Sequence, residues 1–165
     1  MIDSSDFTVE VTAPCAGWLR ECADAELLAQ NAARLALLRA AAPAAAIVDV
    51  TLADDDAQQA LNRTWRGKDS PTNVLAFPAA DPSVPVPPGA PLLLGDVVLA
   101  FETVCREAAE QHKPFADHLR HLVVHGVLHL LGYDHIDATD AAHMEAREIA
   151  VLAELGVPNP YRDTM

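Results

Sequence analysis

The chain has 165 residues, 51% of them apolar, and a formal net charge of −13. That length fits one domain with a real core, and no run of about 18 apolar residues marks a membrane span. The acidic balance, taken alone, opposes nucleic-acid binding, because phosphate contacts need local positive charge. The first residues lack the basic and apolar stretches of a signal peptide. Cys15, Cys22 and Cys105 are odd in number and include no Cys-x-x-Cys pair. They point away from a disulfide framework and towards a reducing, cytoplasmic setting.

Residues 7–12 alternate with period two and predict a strand. An Ala/Leu-rich stretch over 18–41 predicts helix, with an interruption near Ala23–Asp24. Residues 46–52 predict a second strand. Thr51-Leu-Ala-Asp54 resembles a capping box, and Asp54, Asp55 and Asp56 suit the positive end of a helix dipole. That helix should run to about Trp65 and stop at Gly67. Residues 74–77 form a short third strand. The segment 78–91 holds six of the twelve prolines and reads as an extended loop. Residues 92–100 give a fourth strand in which Gly95-Asp96 suggests an edge or a bulge. Helices follow at 101–113, 115–131 and 138–155, with Gly156 ending the last. The first two strands should pair in parallel and the third and fourth antiparallel. The expected fold is α/β (α+β): a small four-stranded mixed sheet covered by about five helices, with a metal site on a helix-turn.

The metal site is read from His125-Gly-Val-Leu-His129-Leu-Leu-Gly132-Tyr-Asp-His135. Histidines four apart share a helix face. Gly132 can adopt the left-handed conformation that ends a helix and turns His135 back. Three imidazoles around one point make a divalent metal site with an open fourth position, the usual form of a catalytic zinc centre. This spacing is also that of metzincin peptidases, whose general-base Glu follows the first histidine; here that position is Gly126. His118 and His121 share the stripe and read as supporting or packing residues rather than ligands. Asp134 either orients an imidazole or shapes the turn.

Arg63, Arg66 and Lys68 form the densest basic group in the chain. From spacing alone, Arg66 simply complements a helix C-terminus. The functional alternative is a phosphate clamp facing the metal. Thr72 and Asn73 likewise either bond substrate or shape a turn.

The histidine block, Arg66-Gly-Lys-Asp-Ser-Pro-Thr-Asn-Val-Leu-Ala-Phe-Pro78, Leu94-Gly-Asp96 and the closing residues 155–161 together resemble the bacterial YbeY family of rRNA-maturation endoribonucleases. The resemblance covers about residues 45–161; the first 40 residues carry little of it, and Ala76 stands where the family usually has Ser. It implies a metal-dependent, single-strand-specific endoribonuclease acting in 16S rRNA 3′-end maturation and ribosome quality control. His125, His129 and His135 would ligate one Zn2+, or another divalent transition metal, and Arg66 would be the functional arginine. Arg63, Lys68, Thr72 and Asn73 are candidate substrate contacts, with His121 and Asp134 behind the ligands. The implied partners are single-stranded rRNA, the small ribosomal subunit and its assembly factors, with no DNA or membrane expected. The alternatives are a metzincin-like metallopeptidase and a non-enzymatic, metal-stabilised ribosome-assembly factor.

Overall fold

The computed structural model describes residues 6–79, 87, 90–133 and 137–161. The elements run β1 (Thr8–Thr12), α1 (Gly17–Glu21), α2 (Ala25–Arg39), β2 (Ala46–Ala53), α3 (Asp55–Arg66), β3 (Val74–Pro78), β4 (Leu92–Ala100), α4 (Phe101–Glu110), α5 (Phe115–Leu130) and α6 (Ala138–Glu154). The sheet order is β1-β2-β4-β3. β1 pairs with β2 in parallel, as expected, and β3 with β4 antiparallel. The parallel β2–β4 pair puts the longest strand in the interior of the sheet and leaves β3 at an edge. The expected bulge lies between β2 and β4: Ile47 faces Leu93, Val48 faces Gly95, and Leu94 is skipped.

Alternation sets the two faces of the sheet. Val9, Val48, Val50 and Leu52 are buried, while Thr8, Glu10 and Thr12 between them are exposed. The buried residues share one hydrophobic cluster with Ala29, Ala33 and Leu37 of α2, Leu119, Val123 and Val127 of α5, and Met144 and Leu152 of α6. The 18–41 helix breaks near the anticipated point, at Cys22–Asp24, giving six helices among the described residues rather than about five. The short α1 is anchored by Trp18, which is fully buried and donates its indole N–H to the Ala53 carbonyl at 2.9 Å. Phe101 and Phe115 pack on it, each with its centroid 5.4 Å from the indole.

Two helix starts place the site. Asp54, not Thr51, caps α3: its carboxylate accepts the Ala57 N–H at 2.8 Å, whereas Thr51 stays in β2. Asp55 then accepts from the backbone N–H and the hydroxyl of Thr103, and donates its own N–H to Glu102. The starts of α3 and α4 are thereby locked together. Gly67 ends α3 in the left-handed region, where glycine carries no Cβ penalty. Of the proline-dense segment, residues 80–86, 88 and 89 lie outside the described residues. Cys15, Cys22 and Cys105 are half-buried free thiols. Among the described residues no helix is long and apolar enough to cross a membrane.

Candidate metal centre

Helix α5 is buried along most of its length. The sheet-facing contact is set by Gly126: a Cβ there would come within 2.6 Å of Val97 Cγ1 and 3.3 Å of Val74 Cγ2. The glycine lets the helix lie against β3 and β4. A glutamate at 126, where metzincin peptidases carry their base, would begin its side chain against Val97. Beyond α5, Gly132 has the anticipated positive φ, +97°, and donates its N–H to the His129 carbonyl.

His125 and His129 follow each other on α5 with their Nε2 atoms 3.1 Å apart. Two nitrogen donors about 2.0–2.1 Å from a tetrahedral zinc stand about 3.3 Å apart, so this pair fits shared ligation. Asp134 and His135 lie outside the described residues. Among the described residues, no group of three or more His, Cys, Asp or Glu side chains is arranged to hold a metal.

Facing the pair is a cavity of about 710 Å³ lined by Asn62, Arg66, Lys68, Thr72, Asn73, His125, Gly126, His129 and Tyr133 among others. Arg66 is the last residue of α3 and so does sit at a helix C-terminus, yet it also reaches the cavity. Its Nη2 donates to the Ala76 carbonyl at 2.9 Å, and its guanidinium carbon stands 5.5 Å from the Phe77 ring centroid. These contacts fix the planar fork. Thr72 and Asn73 line the cavity but are also engaged in shaping it. The Thr72 N–H donates to Gln58 Oε1, and Asn73 caps the Val74 N–H while donating to Glu107 at 3.0 Å. Arg63 is not among the lining residues; it is exposed and 3.5 Å from Asp69.

The remaining histidines of the stripe face carboxylates. His118 is buried with Nε2 2.9 Å from Glu107, and burial lowers its pKa against the opposing pull of that carboxylate. His121 stands 3.9 Å from Glu148 and 3.4 Å from the Tyr161 hydroxyl.

Sequence reasoning missed Glu148 and Tyr161. Glu148 is fully buried on α6 and is bonded by His125 Nδ1 and by the Tyr161 hydroxyl. Burial pushes its carboxyl up, but the facing imidazoles of His121 and His125 and the Tyr161 hydroxyl outweigh this and hold it at about 2. The Tyr161 phenol is raised by burial and by that carboxylate. One signal was available: Glu148 shares the apolar stripe of Met144, Val151 and Leu152, where a lone carboxylate requires partners.

Fold and site together define an α/β protein with a histidine-based candidate metal centre set against a cavity wall bearing Arg66 and Lys68. The family model described as Endoribonuclease YbeY matches residues 19–156, and the chain belongs to that family. The match begins well before residue 45, so the N-terminal helices belong to the family pattern although their Ala-rich sequence carries no legible motif. The chain is 54% identical over 155 residues to the Endoribonuclease YbeY of Paramagnetospirillum magneticum, covering 93% of this chain and 94% of that one. It is 61% identical over 120 residues to that of Magnetococcus marinus, covering 69% and 82%. The solution structure of a Thermotoga maritima protein has a similar fold, with a TM-score of 0.52 at 23% identity over 96% of each chain.

Proposed function

We propose that this chain is a zinc-dependent endoribonuclease that cuts single-stranded RNA during 16S rRNA 3′-end maturation and ribosome quality control in the cytoplasm. The observation that carries the reading is the convergence of His125, His129 and Arg66 on one cavity, in a chain of the endoribonuclease family. His125, His129 and His135 would hold the metal, which supplies a water of pKa near 7 and charge stabilisation at the phosphate. Arg66, pinned by Ala76 and Phe77, presents its fork to the phosphoryl oxygens as charge builds on them. Lys68 adds a second positive charge on the same wall. Trp65, 71% exposed beside this group, offers an aromatic face on which an unpaired base can stack. Nucleophilic attack at the phosphate by water or by the RNA 2′-hydroxyl is compatible with this arrangement. The small ribosomal subunit and its assembly factors would present RNA to an otherwise acidic molecule.

The test is zinc content and cleavage of a single-stranded RNA by wild type, His129→Ala and Arg66→Ala. We expect one zinc per chain in wild type and in Arg66→Ala, and none in His129→Ala. Cleavage should vanish in His129→Ala and fall on the order of 10²-fold in Arg66→Ala, as for removal of one transition-state donor. Zinc bound with no cleavage by any form, even with ribosomal subunits supplied, would move the reading to a metal-stabilised assembly factor. Full activity in Arg66→Ala would remove that residue from the chemistry.

A further inference from the structure

We propose that Glu148, steadied by Tyr161, is the positioning residue that decides which nitrogen of His125 is offered to the metal. The proposal rests on the zinc reading above and extends it to α6 and the segment after it.

Three observations carry it. First, Glu148 is 0% exposed on a helix face whose neighbours Met144, Val151 and Leu152 are apolar. A carboxylate is kept there only if its oxygens are satisfied. Second, its partners differ in kind from those of the two buried amides. Gln58 and Asn62 bind the backbone: Val98 O and Thr72 N for Gln58, and Ser70 O for Asn62. The bonds found for Glu148 go to side chains, His125 Nδ1 on Oε1 and the Tyr161 hydroxyl on Oε2. Third, a carboxylate with both oxygens so engaged can only accept. His125 therefore carries its proton on Nδ1, and the Nε2 lone pair is left beside His129 Nε2, 3.1 Å away. With the other tautomer, Nε2 would bear hydrogen and could not ligate.

Tyr161 is itself held in place. Its N–H donates to Asn159 Oδ1 at 2.8 Å, and the His121 ring meets it edge-on at 5.5 Å between centroids. Lys113 Nζ donates to the Pro160 carbonyl at 2.9 Å, tying the segment to the α4–α5 connection. The hydroxyl occupies Oε2 and keeps the carboxylate from turning away from His125.

The test compares wild type, Glu148→Gln and Tyr161→Phe by zinc competition against a chromophoric chelator and by nitrogen NMR of the histidine tautomers. We expect Nδ1–H at His125 in wild type, a loss of zinc affinity of about 10–100-fold in Glu148→Gln, and a smaller loss in Tyr161→Phe. Either variant folding with wild-type cooperativity but showing the shifted tautomer or the weakened affinity supports the proposal. Folded variants with unchanged affinity and unchanged His125 tautomer overturn it. If Glu148→Gln does not fold, Tyr161→Phe decides by the same two readouts. If wild type takes up no zinc, the metal reading fails. The tautomer spectra then still decide whether Glu148 fixes His125.

Discussion

Helix α5 supplies His125 and His129 to the candidate metal centre, and α6 supplies the buried carboxylate that faces His125. His125, His129 and Gly132 lie within eight positions, so helix periodicity and one turn bring them into relation. Glu148 lies 23 residues from His125 and on another helix, and no local pattern joins them. In the sequence pattern Gly126 is an absence, the missing peptidase base. The structure gives it a positive role as the point where α5 touches Val97. Gly126→Ala should therefore destabilise the protein by about 1–3 kcal/mol through overpacking, and Val97→Ala in the same chain should recover part of that. Thermal melts of the two single variants and the double variant measure the coupling. Additive losses would mean that the 2.6 Å approach is relieved elsewhere.

Elements were legible through alternation and turn residues, and the order of the chain gave the two pairings between neighbouring strands. The β2–β4 pairing was not legible, because the strands are separated by α3 and β3 and nothing local records their register. That pairing brings three carboxylates abreast: Glu10 opposite Asp49, and Asp49 opposite Asp96. Burial and then the charge of Asp49 raise the Asp96 pKa above its ordinary value. The ionised form is thus the disfavoured one in the fold. The cost is present above the folded pKa and disappears as pH falls below the unfolded value. Asp96→Asn should raise stability at pH 7 by about 0.2–1 kcal/mol, the range for an opposed cross-strand pair. The gain should shrink as the buffer is taken towards pH 3. Denaturant titrations at three pH values check it, and a gain that grows with acid would contradict the assignment.

At the scale of the molecule, the charge of −13 argued against RNA, and the resolution is spatial. Arg66 and Lys68 reach one cavity wall with Arg63 nearby on α3, while Glu10, Asp49 and Asp96 stand abreast on three neighbouring strands. Binding of a single-stranded oligonucleotide should then be weak and only moderately salt-dependent. Three phosphate contacts give a slope of about −2 in log affinity against log salt. Anisotropy titrations of His129→Ala with labelled RNA measure it without cleavage. A slope near zero would remove the basic wall from recognition.

The two tryptophans divide the same molecule in another way. Trp18 is sealed at 0% exposure among phenylalanines, and Trp65 is 71% exposed beside the basic group. Their emission is consequently two separable colours, a blue component that solutes cannot quench and a red one that iodide reaches. Without any label, the red light follows what arrives at the exposed end of α3 and the blue light follows whether the chain is still folded.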